Sequence, residues 1–329
     1  METLLLDSAT VSDLAPIDKV VEAVEEAFVA YQRGSVQMPP KSYIDIDAYN
    51  GDFRSMPAYI ATDQWDAAGI KWVNVHPDNP EQHDLPTVMA TIIYSDPETG
   101  FPLAIMDGTT VTRLRTGAAA AVATDHLAVD DARSLGLIGA GAQAKSQLRA
   151  IAQIRDIETI IVHDKRESAI NDFIEEFQSS FSISPGTIPE AARCDILSTI
   201  TPVTSPIVNR DSVGDHTHIN AIGADAAGKN ELDPKLLKEG TVVIDDFEQC
   251  VHSGEINVPW AAGIIDDSDI AAELGEVVTR DKPGRTSEDG ITLFDSTGLA
   301  IQDVAAAHVI YQHALETSIK NRINLVETE

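Results

Sequence analysis

The stretch Leu135-Gly136-Leu137-Ile138-Gly139-Ala140-Gly141-Ala142-Gln143-Ala144 decides the fold of this chain. It has the pattern of a buried strand that ends in GxGxxA and passes directly into a helix. Gly139 permits the tight turn, Gly141 lets a pyrophosphate approach the backbone, and Ala144 keeps the helix close to its strand. The N-terminus of that helix supplies unpaired N–H groups and the positive end of a helix dipole. The pattern therefore predicts a dinucleotide-binding unit.

A carboxylate follows the next predicted strand at the position where it would meet a ribose. This strand covers residues 157–163 and is followed by Asp164, about twenty residues beyond the glycine turn. The carboxylate would accept hydrogen bonds from the ribose hydroxyls and would repel a 2′-phosphate, so we predict NAD as the cofactor. Lys165 and Arg166 come next and leave NADP open as a secondary cofactor.

From residue 134 onward, short apolar runs rich in β-branched residues alternate with amphipathic stretches. Continuous apolar runs are typical of parallel strands that are buried on both faces. Helical spacing of apolar residues appears at 143–154 and 167–177. The predicted strands cover residues 134–139, 157–163, 195–201, 217–223, 241–246 and 291–294. The pattern predicts an α/β fold with a Rossmann-type, doubly wound parallel sheet.

The sequence before this region predicts a mixed or antiparallel sheet, because its strands are separated by turn clusters at hairpin spacing. Residues 1–13 predict a short strand and an acidic turn, and an Ala-rich helix at 114–127 joins the two parts. The strands are predicted at 41–45, 54–61, 67–75, 87–94 and 102–107, with helices at 16–33 and 301–313. We expect an α+β domain formed by residues 1–116 with 302–329, and a Rossmann domain formed by residues 117–301.

The composition excludes several classes of partner. The 329 residues include 53 Asp and Glu against 23 Lys and Arg, which gives a formal net charge of −30. Such a surface repels nucleic acid and anionic lipid, so we expect neither as a partner. No segment has the pattern of a signal peptide or membrane span, which predicts a cytoplasmic protein. Cys194 and Cys250 lack metal-ligand spacing, so we predict no metal site.

The acidic residues are spread along the whole chain, which favours a halophilic source. In about 1 M salt the Debye length shrinks to roughly 3 Å, so exposed carboxylates repel one another only weakly. The alternative is an ordinary acidic surface.

Several blocks of the sequence resemble the ornithine cyclodeaminase/mu-crystallin family, and within it the archaeal alanine dehydrogenases most. The blocks are RSMP at 54–57, GIKWVN at 69–74, RLRTGAA at 113–119, the glycine turn with Gln143, GAD at 223–225 with GKNEL at 228–232, and FDSTG at 294–298. The resemblance implies a homodimer and gives the domain formed by the two chain ends the roles of substrate binding and dimerisation.

The resemblance, together with the chemistry of these side chains, assigns roles. Arg115 would clamp a substrate carboxylate, aided by Lys71 or Lys41, and an anion there would offset the unfavourable place of Arg115 at a helix start. Asp225 is the expected general base for the water that attacks an imine, and Lys71, with a pKa lowered by neighbouring cations, is an electrostatic stabiliser or proton shuttle. The predicted cofactor contacts are Thr87, Arg115, Gly139, Gly141, Ala142, Gln143, Asp164, Thr201, Ile222, Lys229 and Ser296.

The substrate prediction depends on Arg54. Members of the family that cyclise ornithine carry an acidic residue at this position, so a guanidinium disfavours a dication and favours a small amino acid or 2-oxoacid. This predicts an NAD-dependent alanine dehydrogenase. The alternatives are an ornithine cyclodeaminase, an imine or ketimine reductase and, in a different class, a non-catalytic crystallin-like protein that holds a dinucleotide.

Overall fold

The computed structural model describes residues 1–317 and 319–327, and the chain divides into two compact units. The first unit comprises Met1–Arg115 with Leu299–Glu329, and the second comprises Thr116–Gly298. The first unit is therefore built from both ends of the chain, whereas the second is continuous in sequence.

The elements are numbered in chain order. The strands are β1 Thr3–Leu6, β2 Val36–Gln37, β3 Ser42–Ile46, β4 Gly51–Ala61, β5 Asp66–Val75, β6 Val88–Ser95, β7 Pro102–Asp107, β8 Ser134–Ile138, β9 Thr159–His163, β10 Ser182–Pro185, β11 Ile196–Thr199, β12 His218–Ala221, β13 Thr241–Ile244, β14 Ile270–Glu273, β15 Thr292–Asp295 and β16 Arg322–Ile323. The helices are α1 Ser8–Asp13, α2 Ile17–Gln32, α3 Asn79–Gln82, α4 Gly108–Leu127, α5 Ala142–Ile154, α6 Glu167–Phe177, α7 Ile188–Ala191, α8 Pro234–Glu239, α9 Phe247–Ser253, α10 Asn257–Ala261, α11 Leu274–Val278 and α12 Ala300–Glu316.

The sheet of the first unit is mixed, as predicted. Its order is β16-β1-β7-β6-β5-β4-β2, and β3 also pairs with β4. The β1–β7 pair is parallel and the other neighbours run antiparallel. Helix α12 packs on α2 and on β4, β5 and β6. Met56, Ala58 and Ile60 alternate along β4 and are buried, which marks the face that the helices cover.

The sheet of the second unit is entirely parallel, and the prediction of a doubly wound fold is confirmed. Its order is β10-β9-β8-β11-β12-β15-β13-β14. Two separate apolar cores, one including Phe173 and Leu148 and the other Leu236 and Leu293, pack against it. After β10 the chain returns past β8 to form β11, so the carboxyl ends of β8 and β11 border the crevice in which such folds bind ligands.

The main differences from the sequence prediction lie at chain ends and sheet edges. The predicted acidic turn within residues 1–13 is wrong, because this segment forms α1, whose first turn is capped by the Asp7 carboxylate accepting the Thr10 N–H at 2.9 Å. Strands β10 and β14 extend the parallel sheet at its two edges. Both are four residues long and partly exposed, so neither has the continuous apolar run used to recognise the central strands.

No helix in the described part of the chain has the length and apolarity needed to cross a membrane. Cys194 and Cys250 are buried free thiols. Within residues 1–317 and 319–327, no group of three or more His, Cys, Asp or Glu side chains is arranged to hold a metal ion.

The aromatic cluster formed by Phe173 and Phe177 of α6 with Phe181 gives a test of the core that packs against the parallel sheet. Phe173 is fully buried and its ring lies 5.0 Å from that of Phe177. We expect Phe173→Ala to lower the free energy of unfolding by about 3–5 kcal/mol through the cavity it creates. Phe181→Ala, at a partly exposed ring that also contacts Phe177, is the matched control and should cost much less. Urea unfolding followed by circular dichroism measures both, and equal losses would contradict this packing.

Candidate active site

The glycine turn after β8 has the geometry that the GxGxxA pattern predicts. Gly139 has a φ of +106°, and a Cβ on it would lie 2.7 Å from the Ile200 carbonyl oxygen, so both backbone conformation and space require glycine. A Cβ placed on Gly141 would meet no described atom within 4 Å. Helix α5 begins at Ala142, and no described side chain caps it. The turn therefore presents open space and uncapped N–H groups at one place.

Asp164 lies directly against this turn. Its Oδ2 accepts the Ala140 N–H at 2.9 Å, and its Oδ1 accepts the Arg166 N–H at 2.8 Å. Burial alone would raise the pKa of Asp164, but these hydrogen bonds hold it below its ordinary value, so the group is ionised. The Arg166 Nε lies 3.4 Å from Oδ1 and partly compensates this charge. A carboxylate is thus fixed beside the glycine turn, at the position from which the sequence predicts contact with a ribose.

Three other predicted cofactor residues follow the carboxyl ends of neighbouring strands. Thr201 follows β11, Ile222 follows β12 and Ser296 follows β15, and these strands are adjacent in the parallel sheet. Because parallel strands end at the same edge, the three residues share the edge that also carries the glycine turn. Gln143, in the first turn of α5, has a buried Oε1 without a hydrogen-bond partner among the described residues.

Glu231, to which the sequence analysis assigned no role, holds two of these strand ends together. Its Oε1 accepts the backbone N–H and the hydroxyl of Thr201 at 2.7 and 2.6 Å, and its Oε2 accepts the Gly223 N–H at 3.0 Å. The side chain is fully buried, and burial raises its pKa. The sequence signal that could have identified Glu231 is its position in the GKNEL block at 228–232, which is one of the blocks that resemble the family.

Further buried carboxylates lie behind Glu231. Glu255 accepts the N–H groups of Glu231 and Leu232 at 2.7–3.0 Å. Asp295 in turn accepts the Glu255 N–H at 2.8 Å, and burial raises the pKa of Asp295 to about 7. Asp245 accepts the N–H groups of Thr297 and Gly298 at 2.7 and 2.9 Å, and it accepts the Ser296 hydroxyl at 3.3 Å. The segments after β11, β12 and β15 are therefore held by carboxylates beneath them.

The predicted base, Asp225, lies two residues beyond Gly223 and is partly exposed. It forms an ion pair with Lys229, four residues later in the same loop. Lys229 was predicted as a cofactor contact, and the structure brings it to Asp225. The Lys229 carbonyl also accepts the Asn257 side-chain amide at 2.8 Å, which fixes the loop.

In the first unit, the structure brings Lys71 and Arg115 together around one carboxylate. Lys71 Nζ lies 2.7 Å from Asp303 Oδ2, and Arg115 Nε lies 3.0 Å from Asp303 Oδ1. All three side chains are at least nine-tenths buried. Asp303 was not predicted as a site residue, although an acid within the apolar stretch LAIQDVAAA at 299–307 was a usable signal.

The pKa of Lys71 is lowered to about 7, in the direction predicted from the sequence. The predicted cause was incomplete. Burial is the largest contribution, the charges of Arg115 and Lys41 lower the pKa further, and the Asp303 carboxylate opposes these effects. The structure thus brings Lys41 within electrostatic reach of Lys71. Thr87, predicted as a cofactor contact, lies in the first unit immediately before β6, where its carbonyl accepts the His76 N–H at 2.8 Å.

Arg115 does not open its helix, so that prediction is wrong. Helix α4 begins at Gly108, which places Arg115 two turns inside it and removes the argument from the helix dipole. The earlier start is explained by Asp107, whose carboxylate accepts the N–H groups of Thr109 and Thr110 at 3.2 and 2.9 Å. The charge of Arg115 is met instead by Asp303 and by Gln302 Oε1, which accepts Nη1 at 2.9 Å.

Arg54 forms an ion pair, whereas the sequence suggested an unpaired cation. Its guanidinium makes two parallel hydrogen bonds to the Asp52 carboxylate, at 2.7 and 3.0 Å, and lies 5.3 Å from the centre of the Tyr43 ring. In the β4–β5 register, Arg54 is opposite Val73 and Met56 is opposite Lys71. Arg54 and Lys71 therefore share one face of the sheet.

The first unit thus has the chemistry of an anion site, because two buried cations share one carboxylate and Lys41 adds a third positive charge. The second unit has the chemistry of a dinucleotide site at the carboxyl edge of its parallel sheet.

Comparisons with known proteins place the chain in one family and support NAD as its cofactor. The sequence model of the ornithine cyclodeaminase/mu-crystallin family matches residues 1–318. A curated alanine dehydrogenase of Archaeoglobus fulgidus is 48% identical over 326 residues, which cover 98% of each chain. A solved archaeal alanine dehydrogenase dimer with bound NAD superposes with a TM-score of 0.94 at 47% identity, over 99% of this chain and 100% of that one. The Thermococcus litoralis Δ1-pyrroline-2-carboxylate reductase, solved with NADH and L-proline, gives a TM-score of 0.92 at 36% identity over 98% and 100%.

The buried acid Asp295 gives a pH-dependent test of this edge. Its pKa of about 7 in the folded chain stands above the ordinary value of 3.8, so it stabilises the folded state fully at low pH and loses this contribution as the pH rises through 7. The free energy of unfolding of the unaltered protein should therefore fall relative to that of Asp295→Asn between pH 4 and 7, by up to about 1.4 kcal/mol per pH unit. Urea titrations at several pH values measure this, with Asp211→Asn at an exposed site as control. A difference independent of pH would contradict the assignment.

Proposed function

The chain belongs to the ornithine cyclodeaminase/mu-crystallin family, and we propose that it is an NAD-dependent alanine dehydrogenase. The reaction converts L-alanine, NAD and water to pyruvate, ammonium, NADH and a proton. The observation that carries the proposal is the buried set formed by Lys71, Arg115 and Asp303. With both basic groups protonated this set has one net positive charge, and it therefore lacks the anion that a substrate carboxylate would supply.

Arg115 and Lys71 bind the substrate carboxylate in this proposal. Arg115 supplies directional N–H donors on a planar guanidinium, and Lys71 supplies a compact charge. The pKa of Lys71, about 7, lets it exist in both protonation states near neutral pH. It is therefore suited to stabilise negative charge and to exchange a proton with the substrate amine.

Asp225 accepts a proton from the water that attacks the substrate imine. The Lys229 ammonium forms an ion pair with its carboxylate. Its loop follows β12, and Glu231 fixes the start of that loop through the Gly223 N–H. A carboxylate held in this way can act as a base without reorganising the backbone.

NAD is held, in this proposal, along the carboxyl edge of the parallel sheet. The α5 terminus at Ala142 and Gln143 would receive the pyrophosphate, and Asp164 would accept from the ribose hydroxyls. Thr201, Ile222 and Ser296 would line the part of the edge that receives the rest of the dinucleotide. When bound, NAD accepts the hydride that leaves the substrate Cα.

The preference for a small substrate is supported by the Arg54–Asp52 pair. An ornithine side chain would need an unpaired acid for its second ammonium, and Asp52 already has both oxygens on one guanidinium. Alanine and pyruvate make no such demand. In this proposal, ornithine is disfavoured because Asp52 is already paired with Arg54 and because the Arg54 side chain occupies space. The sequence alone suggested that an unpaired Arg54 charge would repel ornithine.

We also propose a homodimer that pairs through the outer face of the mixed sheet. Ile44, Trp72 and Ile93 are 54%, 42% and 39% exposed. By register they share the face opposite to the one that carries Lys71. An exposed apolar face on a regular sheet is a candidate for association. The solved archaeal relative is itself a dimer.

The net charge of −30 leads us to propose a halophilic enzyme. Carboxylates on the surface retain water and oppose aggregation, and concentrated salt screens their repulsion. Activity should therefore be measured in both concentrated and dilute salt.

The proposed reaction is tested with a panel of substrates in which absorbance at 340 nm follows the cofactor. We expect reductive amination of pyruvate with ammonium and NADH, oxidation of alanine with NAD, and little proline from ornithine.

The two site variants should separate binding from chemistry. Arg115→Ala should lower kcat/KM by a factor that corresponds to about 2–4 kcal/mol, mainly through a higher KM. Asp225→Asn should lower kcat and leave NADH binding intact. Efficient proline formation from ornithine, or activity only on a pyrroline carboxylate, would overturn the assignment to alanine.

The cofactor preference is tested at Asp164. Asp164→Ser removes the carboxylate that repels a 2′-phosphate and leaves Arg166 without its partner, so the ratio of kcat/KM for NADP to that for NAD should rise at least tenfold, or about 1.4 kcal/mol. Asp172→Ser, on the exposed face of α6, is the matched control and should leave the ratio unchanged. An unaltered protein that already prefers NADP would refute this role of Asp164.

A further inference from the structure

We propose that Asp303 is a positioning residue of the anion site, which favours the protonated form of Lys71 and orients the Arg115 guanidinium for the substrate. The inference rests on the proposed function, since it assigns a task within that site. It starts from one geometric fact, that a single buried carboxylate contacts cations from two other elements.

Each oxygen of Asp303 has its own partner. Oδ2 lies 2.7 Å from Lys71 Nζ on β5, and Oδ1 lies 3.0 Å from Arg115 Nε on α4. The neighbouring Gln302 accepts a hydrogen bond from Arg115 Nη1 at 2.9 Å, so α12 holds the guanidinium at two of its nitrogens, Nε and Nη1. A planar guanidinium held at two nitrogens has a fixed plane, so its remaining N–H groups point in defined directions, as directional binding of a carboxylate requires.

Asp303 is needed because the other influences on Lys71 act against its charge. Burial disfavours the ammonium, and so do the charges of Arg115 and Lys41. On β4, Arg54 shares the face of Lys71 but is compensated by Asp52, and on β6 the residue opposite Lys71 is the uncharged Ile92. Asp303 thus supplies the negative charge that favours a protonated Lys71. Without it, Lys71 would be a neutral amine at neutral pH and would no longer attract a carboxylate.

The amide of Gln302 gives independent support for a ligand here. Arg115 has only donors, so the Gln302 atom that faces it must be Oε1, and this fixes the identity of the other atom as Nε2. Gln302 is fully buried, and Nε2 has no hydrogen-bond partner among residues 1–317 and 319–327. A buried amide without an acceptor is costly, and a carboxylate ligand would supply that acceptor.

The protonation state of Lys71 can be measured without any assay of activity. Protein labelled with 13C at the lysine ε carbons is titrated by NMR, and the Lys71 signal is assigned by its loss in Lys71→Met. In Asp303→Asn the midpoint for Lys71 should fall by at least one pH unit, a tenfold or greater loss of proton affinity. Asp303→Glu should restore most of it. Asp303→Ser removes the same charge and serves as a second neutral variant if the amide variant does not fold.

Asp96→Asn is the matched control, because Asp96 lies in the exposed turn before β7, where its carboxylate accepts the Glu98 N–H and the Thr99 hydroxyl. It should leave the Lys71 midpoint unchanged. An unchanged midpoint in folded Asp303→Asn or Asp303→Ser would overturn the proposal.

A kinetic measurement separates this inference from the proposed function. If pyruvate is a substrate, its KM should rise at a lower pH in Asp303→Asn than in the unaltered protein, with a smaller change in kcat. Equal pH profiles would show that Asp303 has only a structural role. If no member of the substrate panel reacts, the proposed function fails, whereas the NMR titration still decides whether Asp303 controls Lys71.

Discussion

A carboxylate removed from water must be met by N–H donors or by a cation, and this requirement organises both units of the chain. Although most of the 53 acidic residues contribute to a strongly negative surface, a few are almost completely buried. In the first unit, Asp303 joins a helix and a strand from the N-terminal segment to the last helix. In the second, the segments after the central strands are tied by Glu231, Asp245, Glu255 and Asp295.

These buried acids fix the loops at the carboxyl edge of the parallel sheet through hydrogen bonds to their backbone N–H groups. A backbone segment outside the sheet has N–H groups with no partner in the ladder, and each of these carboxylates accepts two such groups. Burial raises the pKa of Glu255, and the nearby charge of Glu231 raises it further. The backbone donors offset that repulsion, so adjacent acids are stable here where they would be costly elsewhere.

The sequence predicted what depends on local pattern and missed what depends on tertiary contacts. Glycine spacing gave the dinucleotide turn, and continuous apolar runs gave the central strands, because both signals lie within a few residues. The Asp303 contacts with Lys71 and Arg115 span separations of 188 residues and more, which no periodicity reports. Arg54 shows the same limit at short range: Asp52 is two residues away, yet only the folded strand shows that their charges are paired.

The split of the first unit between the two chain ends has a consequence for biosynthesis. Residues 116–298 leave the ribosome as one continuous segment and can fold while synthesis proceeds, whereas the mixed sheet waits for Leu299–Glu329 to supply α12 and β16. Until then, the face of β4 and β5 that α12 covers stays open, and Lys71 and Arg115 have no Asp303 between them. A chain truncated before Leu299 should therefore retain the parallel sheet while failing to complete the mixed one.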